Sequence, residues 1–248
     1  MPFEYRLGKK PARFDEKLPR LSKHAAGLPP PPLWSNWWAG IESWEMLEND
    51  KLGCCAEAAV LHQILQISTY ANPGHALKPT NWDAIHLYEG AAGYKPNDPS
   101  TDQGTYMAGP GGLLDYWLKT GVICDGVLNK AAAVLAITKP RVIEWKQAIA
   151  TFGSILIGLQ LPENVLSGDA PPFVWSNPTG PVAGGHAVLG VGYDSATAMF
   201  DLVSWGTHYK ATEDFLLGTV DEVYTVYDAA FPTPAGSVAA LAALGGEG

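Results

Sequence analysis

The most informative stretch of the chain is residues 49–58, which reads NDKLGCCAEA. An apolar pattern with helical spacing begins at Cys55, directly after Gly53 and a second cysteine, and continues to about residue 70. In the first turn of such a helix, unpaired N–H groups and the helix dipole favour a thiolate, which is the nucleophile of cysteine hydrolases. Taken alone, however, such a cysteine is more commonly a buried structural residue.

In a second stretch, residues 184–193 (GGHAVLGVGY), a histidine opens an apolar strand after two glycines. The two glycines before His186 remove side chains that would block approach to its ring. A near-neutral pKa suits a histidine to take the proton of a thiol, although a lone strand histidine is more often a core residue. A third stretch, residues 201–206 (DLVSWG), places Trp205 where it can cover a histidine from solvent.

Together the three stretches resemble the papain-like cysteine peptidases. In that family a Gly-His-Ala-Val-x-x-Val-Gly-Tyr strand carries the base, and Asn-Ser-Trp-Gly carries an orienting Asn. Cys55 and His186 are 131 residues apart, which matches the spacing of about 130–150 in papain-type enzymes. The resemblance covers about residues 45–228. It implies an α+β fold in which a helical half with the nucleophile helix packs against an antiparallel sheet or barrel half.

The resemblance also implies roles for individual residues. Cys55 is the nucleophile and His186 is the base. Asn49 stands six residues before the nucleophile, where the family has Gln, and would hold the oxyanion together with the Cys55 N–H. The orienting Asn is replaced by Val203, which cannot hydrogen-bond the histidine. Asp201, two residues earlier on the same strand face, is the candidate third member of the site.

Two functions remain open because of this departure at Val203. The first is a papain-like cysteine hydrolase, in the first instance a peptidase acting on peptides or proteins. The alternative is a catalytically weak or inactive protein of that fold that serves in a bacteriophage head or tail. The pattern in residues 44–55 and the loop at residues 98–104 (DPSTDQG) resemble a papain-like group common in bacteriophages and bacteria, which suggests a phage gene. A cell-wall hydrolase ranks last, because no wall-binding repeat is visible.

The charge of the chain is unevenly distributed. Residues 1–23 hold seven of the 16 Lys and Arg and carry a formal charge of +4, whereas the remainder carries −13. A basic arm of this kind can dock onto the acidic body, like a pro-segment, or reach a neighbouring virion subunit. The simplest alternative is that the arm is a solvated tail that binds neither.

The composition excludes several partners. A pI near 5.0 disfavours nucleic acid as a partner of the body. No apolar run reaches the roughly 18 residues of a membrane span. The three cysteines and six histidines form no Cys-x-x-Cys or His-x-x-x-His pair, so we expect no metal and no cofactor. No apolar segment follows the first basic residues, so we expect no secretory signal and a cytoplasmic or virion-associated protein.

The predicted organisation has three parts. They are a basic arm with a polyproline joint at residues 1–33, a papain-like domain at 34–228 with halves at about 34–152 and 153–228, and a low-complexity tail at 229–248. The hydrophobic periodicity predicts helices over residues 55–70, 82–89, 112–119 and 140–152, and strands over 154–161, 186–193, 199–205 and 222–227.

Overall fold

The computed structural model describes residues 5–13, 15–166 and 173–228. The predicted tail, residues 229–248, lies outside the described residues. In chain order the elements are β1 (Trp34–Asn36), α1 (Cys55–Ala71), α2 (Asn81–Ala92), α3 (Leu113–Lys119), β2 (Val122–Cys124), β3 (Val127–Asn129), β4 (Ala133–Ala136), α4 (Val142–Phe152), β5 (Ile155–Pro162), β6 (Val174–Trp175), β7 (Val182–Asp194), β8 (Met199–Ser204), β9 (Thr207–Thr212), α5 (Glu213–Thr219) and β10 (Val220–Tyr227).

Helix α1 is the central helix of the described chain. It begins at Cys55, where the sequence predicts it, and its side chains are buried from there to Ile67. Burial on every side places this helix inside the protein rather than on its surface. Helix α2 also begins and ends where its own residues dictate. A capping box formed by Thr80 and Asp83 starts the helix, and Gly93, with φ of 74°, ends it.

An eight-stranded sheet forms the other half of the fold. Its strand order is β4-β10-β5-β7-β8-β9-β6, with β1 paired to β7, and all pairs are antiparallel except β6 with β9. The predicted α+β fold with an antiparallel sheet is therefore confirmed. The strands β1, β2, β3, β4, β6 and β9 and the helix α5 were not predicted. All of these strands are short, and β9 in addition alternates too few apolar residues to give a strand signal.

Strand β7 carries side chains into two hydrophobic clusters. Ala187, Leu189 and Val191 face the cluster that includes α1, whereas Val188 faces the cluster that includes α4. The alternation follows from the two-residue repeat of a strand. His186 lies two residues before Val188, so its side chain is on the same face of the sheet as Val188. Its ring can therefore reach only side chains on that face.

The segment before the polyproline joint packs on the body. Leu21 and Leu28 are buried in the cluster of the sheet half, so part of the basic arm belongs to the same core as the papain-like domain. Within the described residues, no helix is long and apolar enough to cross a membrane.

Candidate active site

Helix α1 and strand β7 place the predicted nucleophile against the residue that follows the predicted base. The Cys55 thiol hydrogen-bonds the backbone of Ala187, the residue that follows His186. Both Cys55 and His186 are fully buried. Since the sulfur lies against the strand residue next to the histidine, the start of α1 and the middle of β7 form one site.

His186 is held by two residues at the end of β8. Its Nε2 lies 2.7 Å from Ser204 Oγ, and its ring stacks on Trp205 with centroids 4.1 Å apart. Within the described residues its Nδ1 has no hydrogen-bond partner. Ser204 thus occupies Nε2, and Nδ1 is the ring nitrogen left unpartnered in the described part of the chain.

Ser204 was not identified from the sequence, and strand parity explains why. Strands β7 and β8 pair Leu189 with Val203, so Val203 lies on the α1 face of the sheet, with Leu189. Ser204 lies on the opposite face, as a diagonal neighbour of His186. A one-residue change of position moves a side chain to the other face of a sheet. The hydroxyl that binds His186 therefore belongs to the residue after Val203, the position of the family's Asn. The sequence had instead suggested Asp201, two residues before Val203.

Asp201 has other partners. Its Oδ1 lies 2.9 Å from Nε2 of His208 and 2.7 Å from Nζ of Lys210. Although burial opposes it, the hydrogen bonds from these two side chains lower the pKa of Asp201. Asp201 is held by two basic residues, and the hydrogen bond that the sequence assigned to it belongs to Ser204.

Asn49 lies at the end of a loop with unusual backbone geometry. Glu45, Leu47 and Glu48 have φ of 51°, 55° and 59°, a region that non-glycine residues rarely adopt and that is enriched at functional sites. Asn49 is 2% exposed, and its Oδ1 has no hydrogen-bond partner among the described residues. Its role as an oxyanion donor stays a prediction.

The turn after β8 fixes the position of this loop. Trp205 and Gly206 both have positive φ, as in a type I′ hairpin turn between β8 and β9. A Cβ on Gly206 would lie 2.7 Å from the carbonyl of Glu45. Glycine therefore allows the turn that carries Trp205 to contact the loop that precedes the nucleophile.

The N-terminal arm lies over Cys55, in a cleft whose two walls are strand β7 at Gly185 and the loop at Thr105. The Lys9 N–H donates to the carbonyl of Gly185 at 3.0 Å, the Lys10 N–H donates to that of Thr105 at 2.9 Å, and the Thr105 N–H donates to that of Gly8 at 2.8 Å. These bonds attach the arm to both walls of the cleft, and Gly8 also hydrogen-bonds the Cys55 sulfur. The arm therefore covers Cys55, the predicted nucleophile.

Glycines on both sides permit this close approach. A Cβ on Gly8 would lie 1.9 Å from the carbonyl oxygen of Gly53, and one on Gly104 would lie 1.9 Å from that of Gly8. A Cβ on Gly185 would lie 2.1 Å from the carbonyl oxygen of Lys9. No real Cβ makes such contacts, so the arm fits only because these positions lack side chains.

An ion pair joins the arm to Asp102, in the loop between α2 and α3. Arg6 lies 2.7 Å from Asp102, and the same carboxylate accepts hydrogen bonds from the Gly53 N–H and the Tyr88 hydroxyl. Although burial opposes it, these three donors lower the pKa of Asp102. The basic arm thus docks on the acidic body, one of the two possibilities raised by the charge distribution.

Burial keeps both Cys55 and His186 neutral in this state. It raises the pKa of Cys55 to about 11, against hydrogen bonds from the backbone of Ala187 and Gly8, and lowers the pKa of His186 to about 3. A cysteine hydrolase needs a thiolate and a protonatable imidazole. The closed cleft therefore disfavours the charged pair on which catalysis depends.

The structure resembles solved papain-like proteases. It matches xylellain, a cysteine protease from Xylella fastidiosa, with a TM-score of 0.67 at 13% identity, over 92% of this chain and 98% of that one. It matches digestive procathepsin L 3 of Tenebrio molitor with a TM-score of 0.59 at 9% identity, over 92% and 77%. It matches procathepsin B S9 from Trypanosoma congolense with a TM-score of 0.59 at 12% identity, over 90% and 87%.

These comparisons define the fold of the chain. It is the fold of the papain-like cysteine proteases, as the sequence motifs predicted. No protein-family model matches the chain, and neither does the sequence of any curated protein. Among the described residues, no group of three or more His, Cys, Asp and Glu side chains is placed to hold a metal ion.

The buried His62 of helix α1 makes stability sensitive to acid. It donates from Nε2 to the Glu45 carbonyl at 3.1 Å, and burial lowers its pKa from 6.5 to about 4. Between pH 7 and pH 5 the unfolded chain therefore binds a proton that the folded chain does not. We expect this residue to cost about 2 kcal/mol of unfolding free energy over that interval.

Urea unfolding of the full chain and of His62→Gln at pH 7 and pH 5 measures this cost. Glutamine keeps an N–H donor but does not titrate, so its variant should lose about 2 kcal/mol less. His186, which also titrates, is present in both proteins and cancels in the comparison. Equal losses would show that His62 is not the acid-sensitive group.

Proposed function

We propose that the chain is a papain-like cysteine peptidase that its own N-terminal arm keeps latent. The observation that carries this proposal is the position of the Cys55 sulfur against Ala187, beside a histidine whose Nε2 is bound by Ser204 and whose Nδ1 is unpartnered. A nucleophile, a base and a group that orients the base are the minimum set for acyl transfer. The papain-like fold supports the same function.

In the open enzyme, His186 Nδ1 takes the proton of the Cys55 thiol. The sulfur then attacks the carbonyl carbon of the scissile peptide bond. Asn49 and the Cys55 backbone N–H would donate to the oxyanion that forms. The C–N bond breaks as His186 returns its proton to the leaving amine, and a water molecule hydrolyses the remaining thioester. Ser204 accepts from Nε2–H of the imidazolium and keeps Nδ1 directed at the reacting atoms.

The arm is bound in the cleft without presenting a bond to be cleaved. The hydrogen bond from Gly8 lowers the pKa of the Cys55 thiol, which is the effect of an N–H donor on a sulfur. The carbonyl of Gly8 is bound to the Thr105 N–H instead. The sulfur thus contacts an amide hydrogen rather than a carbonyl carbon, so the arm acts as an inhibitor and not as a substrate.

Hydrolysis of an unfolded protein tests this function. Full-length Gly8→Ala, in which the arm cannot close, should cleave reduced casein at neutral pH, and the same protein with Cys55→Ala should not. Mass spectrometry of the products identifies the cleaved peptide bonds. Failure to cleave casein despite a reactive Cys55 would contradict the proposed peptidase.

That result would instead favour the structural role in a bacteriophage head or tail. This alternative and the phage origin stay predictions. Residues 5–13 of the arm lie against the chain's own body, and the tail at residues 229–248 lies outside the described residues. No contact among the described residues favours a neighbouring virion subunit as a partner.

A further inference from the structure

Lys9 is the arm residue whose side chain enters a pocket beside the nucleophile. The side chain is fully buried, and its Nζ lies 2.9 Å from Asp221 Oδ2 and 2.9 Å from Glu222 Oε1. It also donates to the carbonyl of Lys10 at 2.9 Å. A buried ammonium group is stable only with such compensation. The pocket is therefore specific for a cation.

The pocket is built by the body and not by the arm. Gln160 donates to Asp221 at 2.7 Å, and the Tyr224 hydroxyl donates to Glu222 at 2.8 Å. A Cβ on Gly158 would lie 2.6 Å from Glu222 Cγ and 2.6 Å from Lys9 Cε. Glycine thus leaves the space that the lysine stem fills, and body residues hold both carboxylates in place.

The sheet register places this pocket next to the reacting atoms. Glu222 on β10 pairs with Gly158 on β5, and Gly158 pairs with Ala187 on β7, whose backbone contacts the Cys55 sulfur. The backbone of Lys9 binds the Gly185 carbonyl at the same time. A peptide that pairs with Gly185 therefore delivers one side chain into the acidic pocket.

We propose that this pocket, which we call the acidic pocket (Gly158, Asp221 and Glu222), selects peptide substrates with lysine or arginine within two residues of the scissile bond. The proposal rests on the peptidase function proposed above and names its substrate class. Lys9 then marks the site that a substrate side chain occupies after the arm has left. The competing view is that the pocket only anchors the arm.

Irreversible peptide probes distinguish these views in the full-length Gly8→Ala protein. We would use dipeptidyl fluoromethyl ketones that carry lysine or norleucine at either position, and follow Cys55 labelling by mass spectrometry. Norleucine matches the lysine stem but lacks its charge. At one of the two positions we expect the lysine probe to label Cys55 at least about 10-fold faster, the size of effect expected from a paired buried charge.

Isosteric neutralisation of the pocket should remove this preference. Asp221→Asn with Glu222→Gln is expected to bring the lysine-to-norleucine ratio close to one. The control pair Asp115→Asn with Asp125→Asn changes the net charge equally in the helical half and should retain the ratio. If the double pocket variant does not fold, Gly158→Ala provides a second test, because its methyl group takes the space of the lysine stem while the net charge of the protein is unchanged.

Each outcome bears on a different proposal. Equal labelling by lysine and norleucine probes, or a preference that survives the pocket variants, would overturn the acidic pocket as a substrate site and leave the peptidase intact. Labelling by no peptide probe, while iodoacetamide still alkylates Cys55, would overturn the peptidase itself and the substrate site with it.

Discussion

Replacement of Gly8 by alanine in the full-length chain is expected to raise the rate of Cys55 alkylation about 100-fold at pH 7. The added Cβ would lie 1.9 Å from the carbonyl oxygen of Gly53, a backbone atom that cannot move aside, so the arm must leave the cleft. Burial raises the pKa of Cys55 from the ordinary 9.0 to about 11, against the hydrogen bond of Gly8 and the charge of Lys9, and departure of the arm would expose the thiol to solvent. A return of the Cys55 pKa from about 11 to 9.0 corresponds to about 100-fold more thiolate at pH 7.

Peptide-level mass spectrometry after timed treatment with iodoacetamide measures this rate for each cysteine separately. Gly40→Ala serves as the matched control, since its added Cβ would meet only side-chain atoms at ordinary distances of 3.7 Å or more. Cys124, buried elsewhere in the helical half, should react equally in all three proteins. An unchanged Cys55 rate in Gly8→Ala would mean that the arm does not control access to the nucleophile.

Replacement of Ser204 by alanine in the Gly8→Ala protein is expected to lower kcat about 10- to 150-fold with little change in KM. The substitution removes the acceptor 2.7 Å from His186 Nε2 and leaves only the stacking on Trp205 to orient the ring. A hydrogen bond to a charged group contributes about 1.5–3 kcal/mol, which corresponds to this range of rates. The loss falls on kcat because the imidazolium forms only during the reaction.

Two further variants separate positioning from folding. Ser204→Thr keeps a hydroxyl at the same position and should recover most of the lost kcat. Asp201→Asn should leave kcat close to that of the Gly8→Ala parent, because Asp201 lies on the other face of the sheet and binds His208 and Lys210. A defect in Asp201→Asn together with normal activity in Ser204→Ala would restore Asp201 as the third member of the site.

The start of helix α1 at Cys55 and the strand around His186 were predictable because each has a local cause. A helix with apolar residues at helical spacing and a strand with a continuous apolar run are encoded by neighbouring residues. Their resemblance to the motifs of the papain-like peptidases, together with the 131 residues between Cys55 and His186, predicted the papain-like fold. The chain's amino acids alone therefore specify the two elements that carry the nucleophile and the base.

The partner of His186 and the place of the arm depend on contacts between distant segments. The β7–β8 register pairs Leu189 with Val203 and Gly192 with Asp201, so Ser204 rather than Asp201 is the neighbour of the histidine. Lys9 lies 212 residues from Asp221. Long-range pairing and close packing leave no periodic signal in a sequence, so only the folded chain shows that its basic arm closes the cleft.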